Sequence, residues 1–361
     1  MTVILVNTQK GWRGGERQLA WLIEGLKERK YNQILICRKN SAFEEFAISN
    51  NLEYHSFKIT FYNLPSLALA LNKIIKKEKN KVVVDCHDSK SHTIGLLTKL
   101  LFTKKFKLLV HRKVIFTIKG WFSSKIKYSY KSVDSVICIS KAVEKVIKSN
   151  DSKLRTVVIH DAIKPIFLEK SDFLIKKTNK SNATFIGYIA ALTKEKDHIT
   201  FLKTAQKLSD SNPNFHFVII GIGVLKNELE QLCSDLGIEN RVTFLGFLDN
   251  LNEVIPQMDA LLFTSKSEGL GSTILDFFMA KKPVITVKNG GSEELVFNNK
   301  TGFITDIGNV TALTNYCLDV FSNPENTKRM VENAFEFASQ NFNVNKIVDA
   351  TIAEYHYLVK E

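Results

Sequence analysis

Residues 260–296 read ALLFTSKSEGLGSTILDFFMAKKPVITVKNGGSEELV. A short apolar run, ALLFTS, breaks at a glycine-rich turn, an apolar helical stretch follows, and the β-branched run KPVITV closes the segment. That is one strand–helix–strand unit, the building block of a parallel sheet. The turn delivers Glu268, while Gly269 and Gly271 leave the amides of Leu270, Gly271 and Ser272 free to meet a diphosphate at the helix start. Glu268 and Asp276 lie eight residues apart, a little over two helical turns, a spacing suited to different hydroxyls of one extended ligand. A capping carboxylate plus an unrelated acid is the plainer account of the same pair.

The alternation continues in both directions. ATFIGYIA, HFVIIG and VTFLG precede this segment in the second half; TVILVN, NQILIC, KVVVDC, KLLVHR, SVICIS and TVVIH space out the first half, with helical periods between them. Two α/β, Rossmann-like parallel sheets are expected. A Lys-, Ser- and Asn-rich stretch after Lys164-Pro165, ending near Asn182, reads as a linker. The expected division is residues 1–170, 171–340 and a helical tail, 341–361, whose Ile347, Val348, Thr351, Ile352, Tyr355 and Leu358 share one face and pack back on the first domain.

Composition agrees with two cores: 361 residues, 44% hydrophobic, 50 Lys and Arg against 37 Asp and Glu, net charge +13. Intrinsic disorder is excluded. No apolar run approaches the roughly 18 residues of a membrane span, and TVILVNTQ follows Met1 without a basic leader. A soluble or peripheral, non-secreted protein is expected. Five cysteines without a CxxC pair fit buried thiols in a reducing cytosol.

Two further glycine turns invite ligands. In GWRGGERQLAWL, Gly11, Gly14 and Gly15 open a helix whose first amides attract phosphate, or form an ordinary turn. In GIGVLKNELE, Gly221 and Gly223 imitate a dinucleotide fingerprint, but Lys226 replaces its third glycine, so a tight turn beside some nucleotide is the better reading.

GGERQ, ALTKEKDH, GIGVLKNELEQL, VTFLGF, EGLGSTILD and GGSEELVFNNKTGFIT occur in the order seen in family 4 glycosyltransferases, which the chain resembles over nearly its whole length. The resemblance implies a GT-B fold, two Rossmann-like lobes with acceptor on the first and nucleotide sugar on the second. It implies retaining transfer from a nucleotide diphosphate sugar to a saccharide or lipid-linked saccharide acceptor in surface (lipopolysaccharide-like) glycan synthesis, without metal or cofactor. Under it Glu268 contacts the donor sugar, Asp276 stands where a Glu holds the ribose, and Lys196 neutralises the leaving diphosphate. Ala191 occupies the place of the usual arginine, leaving Arg17, Arg112 or Lys194 as substitutes. His111 matches the active-site histidine near the donor sugar, and His87, beside Asp88, a second cleft-edge histidine. Gly14, Gly15, Gly221 and Gly223 join the donor-binding set; Glu16, Arg17, His87 and Arg112 line the acceptor edge. The residues themselves show no D-x-D and no metal-ligand spacing.

From Ser89 to Val133 there is no acid but eleven Lys and Arg, with Phe102, Phe106, Phe116, Trp121, Phe122, Tyr128 and Tyr130 interleaved. This mixture is expected to dock on an anionic membrane at the inner face of the cytoplasmic membrane. Nucleic acid is the rival partner, and a solvated face over core aromatics the plain alternative. Other functions open at this stage are a nucleotide-sugar epimerase, a non-catalytic membrane or nucleic-acid binding module with a degenerate site, and, on the broken G-x-G alone, an NAD enzyme.

Overall fold

The computed structural model describes residues 1–12, 14–60, 62–115, 118, 126–165 and 171–360. The chain forms two compact units, Met1–Ala162 with Val344–Glu361, and Ile163–Asn343. The division therefore falls before residue 170, and residues 166–170 lie outside the described part.

In the first unit seven parallel strands, β1 (Thr2–Val6), β2 (Asn32–Arg38), β3 (Tyr54–Phe57), β4 (Val82–Cys86), β5 (Lys107–Arg112), β6 (Ser135–Cys138) and β7 (Thr156–Val158), pair in the order β3-β2-β1-β4-β5-β6-β7. β1 and β4 are buried along their whole length, as strands with helices on both faces must be, which is why they read as continuous apolar runs. Helices α1 (Gly14–Glu28), α2 (Ala42–Ser49), α3 (Leu64–Lys77), α4 (Ser89–Leu101) and α5 (Lys141–Asn150) connect them. Asp88 starts α4 by a reciprocal cap: its Oδ1 accepts from the Lys90 and Ser91 amides, and its own amide donates to Ser91 Oγ. It also accepts from the amide and hydroxyl of Thr8 at 2.6 and 2.7 Å. Its carboxylate thus joins the turns after β1 and β4.

The second unit repeats the plan. Strands β8 (Thr184–Ile189), β9 (Phe215–Ile220), β10 (Val242–Gly246), β11 (Ala260–Phe263), β12 (Val284–Val287) and β13 (Phe303–Thr305) order as β10-β9-β8-β11-β12-β13. The stretch read as a linker contains a short helix, α6 (Phe173–Thr178). Leu174 is fully buried there and its amide donates to Gln257 Oε1 at 2.8 Å; one apolar anchor among lysines was too little periodicity to announce a helix. Then come α7 (His198–Ser211), α8 (Lys226–Asp235), α9 (Ser272–Met279), α10 (Val310–Ser322) and α11 (Pro324–Asn341).

The tail helix, α12 (Val344–Lys360), belongs to the first unit. Val348, Ile352, Tyr355 and Leu358 enter the core formed by Leu19, Ile23 and Leu26 of α1. The sequence pattern omitted Glu354, which is buried and binds Arg155 through two 2.8 Å bonds. All five cysteines are buried and unpaired.

Candidate functional site

The second sheet reverses its strand order between β8 and β11, where a crevice opens at the carboxyl ends of the strands. After β8 a single 3-10 turn, Lys194–Lys196, brings the chain back over this point. Buried Tyr188 fixes it by donating its hydroxyl to the Lys196 carbonyl. Thr264 Oγ1 donates to the Asp197 carbonyl at 3.0 Å, and the Lys266 amide to the Glu195 carbonyl at 2.8 Å. These bonds stitch the loop after β8 to the end of β11. Lys196 Nζ consequently lies 2.6 Å from Glu268 Oε1, with side chains 21% and 15% exposed.

Just beyond Glu268, Gly271 takes φ +90° and caps α9, a conformation that favours glycine. A helix start leaves its first amides without intrahelical carbonyls; here the Ile274 amide turns back to the Gly271 carbonyl at 2.9 Å. The GGSEE segment braces this turn: a Cβ on Gly291 would sit 2.5 Å from Leu270 Cα. Asn289 donates to the Ser265 carbonyl at 3.0 Å, and its own carbonyl accepts from the Glu268 amide at 3.2 Å. Asp276 is buried in the second turn of α9. Lys196, Glu268, Leu270, Gly271 and Ser272 are therefore gathered at one strand edge.

Gly221 and Gly223 have a packing reason that needs no ligand. A Cβ on Gly221, at φ +148°, would lie 1.9 Å from the Ala190 carbonyl oxygen, and one on Gly223 2.3 Å from that of Leu192. The crossing of the loops after β8 and β9 demands both. Lys266, absent from the sequence reading, places Nζ 3.2 Å from Asp197 Oδ1 and is half exposed. Asp197 follows Lys196 in the chain, so Lys266 is a second candidate cation at this loop; the signal was the lysine two residues before Glu268.

In the first unit, Asp85 on β4 is inaccessible to solvent. His87 Nε2 lies 3.2 Å from its Oδ2 and His111 Nε2 3.1 Å from its Oδ1, while Tyr355 on α12 donates its hydroxyl to Oδ2 at 2.5 Å. Burial would raise the Asp85 carboxyl, but the His111 and His87 imidazoles outweigh it and hold it below the usual carboxylate range. Burial lowers the His111 pKa against the pull of Asp85. The two rings stack, centroids 4.1 Å apart and 23° between planes. An ion bound to both Nε2 atoms would lie in both ring planes, about 2.0–2.1 Å from each nitrogen, which this stack does not allow. The arrangement suits a shared carboxylate.

The remaining expected edge residues are less open than the sequence suggested. Glu16 is buried and accepts from Asn7 Nδ2 at 3.3 Å, and Arg112 is buried with its guanidinium 4.8 Å from the Tyr128 ring centre. Arg17 lies over Trp21 at 5.2 Å. Glu16 and Arg112 find their partners inside the unit because the helix and strand that carry them turn these faces inward, while Arg17 and Trp21 stay half-buried. Gly14 and Gly15 begin α1 with open space where a side chain would project; Arg13 lies outside the described residues. A cavity of about 40 Å³ in this unit is lined by Trp21, His87, His111, Arg112, His160 and Asp161.

Among the described residues the basic stretch is not one surface. Helix α4 runs its thirteen residues away from the strand ends and β5 brings the chain back, so Lys113 and Leu101 stand at opposite edges of the sheet. Lys113 binds Asp161 at 2.7 Å, Lys99 and Lys107 face Asp134, and Phe106 is core. Phe116, Lys119, Trp121, Phe122 and Lys125 lie outside the described residues.

A fold of two Rossmann-like parallel sheets with a phosphate-type turn at the second switch point is that of the GT-B glycosyltransferases. Residues 12–165 match the model described as Glycosyltransferase Family 4 and residues 170–337 that of glycosyl transferases group 1; the chain belongs to this family. An uncharacterized glycosyltransferase of Methanocaldococcus jannaschii is 26% identical over 245 residues, 62% of this chain, which spans 60% of that relative's length. The lipopolysaccharide core biosynthesis glycosyltransferase LpsE of Rhizobium meliloti is 20% identical over 93% of this chain and 94% of its own. The crystal structure of Anabaena HepE in complex with UDP and glucose superposes with TM-score 0.83 at 20% identity, covering 99% of this chain and 100% of that one.

Proposed function

We propose that the chain is a retaining glycosyltransferase that moves a sugar from a nucleoside diphosphate sugar to a saccharide or lipid-linked saccharide acceptor in cell-surface glycan assembly. The observation that carries this reading is the Lys196–Glu268 pair at the mouth of α9. The diphosphate binds the Leu270, Gly271 and Ser272 amides with Lys196 on its oxygens. Glu268 holds the donor sugar and Asp276 the ribose. As the glycosidic bond breaks, negative charge grows on the diphosphate, and fixed amides and a lysine at that point stabilise it more than they stabilise the ground state. His111, whose Nε2 lies beside Asp85, is the first unit's proposed participant in the transfer. The chemistry needs no metal or cofactor, and UDP is the first base to try because HepE crystallises with it. The enzyme works at the cytoplasmic face of an anionic membrane.

The test is calorimetry with UDP, GDP, ADP, TDP and CDP, followed by transfer from the matching nucleotide sugar in EDTA to a panel of saccharide acceptors. Binding of one nucleoside diphosphate, and a product whose anomeric configuration equals the donor's, are expected. Absence of binding to any of them, or an inverted product, refutes the corresponding part of the proposal.

A further inference from the structure

Among the described residues of the first unit, a group of exposed lysines gathers at a place unrelated to the proposed chemistry; of these Lys81 donates to the Val359 carbonyl. Helices α3 and α4 each follow a parallel strand and run back along the sheet, so both end at the edge where β4 and β5 begin. Thr98 Oγ1 of α4 donates to the Ala68 carbonyl of α3 at 3.2 Å, holding the helices side by side. At this edge Lys76, Lys77, Lys79, Lys81, Lys104 and Lys105 are all exposed. Residues 73–81 contain one acid, Glu78, which accepts from Thr2 Oγ1 at 2.7 Å, and residues 100–107 contain none. Between the two lysine groups α4 ends in Leu100, Leu101 and Phe102, which are 56%, 59% and 41% exposed. Three consecutive apolar side chains at this helix end thus leave about half of their surface in contact with solvent.

We propose that this edge is a docking surface for an anionic lipid bilayer, with Leu100, Leu101 and Phe102 entering the interfacial layer and the surrounding lysines meeting the headgroups. Two leucines beside the phenylalanine decide between lipid and nucleic acid: a leucine gains nothing from a phosphate backbone or a base face, but gains burial in acyl chains. The lysine group at 76–81 lies outside the 89–133 stretch, and the half of that stretch near His111 does not take part. The docking edge lies about 20 Å, the length of α4, from the strand ends that carry His87 and His111. An acceptor anchored in the same bilayer therefore has to reach at least that far before its hydroxyl meets the site.

Flotation of the full chain with vesicles of phosphatidylcholine, alone or with phosphatidylglycerol, tests the surface without any donor, so its outcome is separate from that of the transferase reading. The wild type is expected to float with the anionic vesicles only. Replacing Leu100, Leu101 and Phe102 by serine, and separately Lys76, Lys77, Lys104 and Lys105 by glutamate, should each reduce partitioning by roughly tenfold or more. Reversing Lys300 and Lys328 of the second unit is the charge control and should change it less than about twofold. All of these positions are exposed, and unchanged melting shows that the variants fold. The proposal falls if the wild type stays in solution, if either edge variant floats like it, or if the lysine variant alone fails and the wild type shifts a labelled DNA oligonucleotide.

Discussion

Glu268→Gln is expected to tighten the binding of a bare nucleoside diphosphate. Without ligand, Lys196 spends its charge on Glu268 at 2.6 Å, in a pair whose side chains are 21% and 15% exposed. A diphosphate must draw Lys196 away from that carboxylate and approach the carboxylate itself. With a donor sugar attached, Glu268 has sugar hydroxyls to accept from, and the exchange is compensated. Once the sugar has left, it is not, and Glu268 competes with the product for Lys196. A hydrogen bond between charged groups contributes roughly 1.5–3 kcal/mol. Glutamine keeps the shape and one acceptor but loses the charge, so about 1.4 kcal/mol, a tenfold lower Kd for the diphosphate, is the expected gain. The nucleotide sugar should bind no better than to wild type, and turnover should fall because product leaves slowly. Calorimetry at low salt on wild type and variant gives both constants. A wild type that binds the diphosphate and a variant that binds it equally or less would refute this exchange.

Lys266→Ala should lower turnover by about tenfold while leaving melting unchanged, if it shares the diphosphate charge with Lys196, whose removal should cost ~100-fold or more; equal activity of Lys266→Ala and wild type removes it from the site. Tyr355→Phe strips a donor from buried Asp85 and should cost about 1–3 kcal/mol in urea melts; an unchanged midpoint would mean that this hydrogen bond does not help hold the tail helix. Burial, with Lys127 and Arg112 nearby, lowers the His92 pKa from 6.5 to about 3. Between these values the unfolded chain takes a proton that the native chain refuses, so stability falls as pH drops below 6.5, by about 1.4 kcal/mol per pH unit for this residue. His198 and His216, each lowered to about 4 chiefly by burial, act in the same direction. His92→Gln should flatten the slope between pH 6 and pH 4, and a slope equal to wild type would contradict the assignment.

What was legible in the sequence was local. ALLFTSKSEGLGSTILD declares a strand, a turn that only glycine makes easily and a helix start, all within residues 260–276, and the structure supplies φ +90° at Gly271. Contacts over long separations left no such trace. Asp85 and Tyr355 are 270 positions apart, and nothing in VVVDC marks its acid as the meeting point of two imidazoles and a phenol. Gly221 and Gly223 suggested a ligand because their neighbours in space, the carbonyls of Ala190 and Leu192, come from another loop. The basic run misled for a related reason: a linear count cannot show that a helix and the next strand carry its two halves to opposite edges. Lys266 was overlooked because a lysine in a turn is ordinarily solvated, and its value depends on Asp197 being beside it.

The first unit is assembled from both ends of the described chain, residues 1–162 and 344–360. During synthesis its sheet emerges first, yet the groove over α1 and the acceptor face of Asp85 wait for a helix made after the whole second unit. The second unit is one continuous segment and can close as soon as it leaves the ribosome. Until then the apolar face of α1 stands bare, which makes the nascent first half a natural client for a chaperone. A stop codon at position 344 would spare the second sheet entirely and still leave the first without α12.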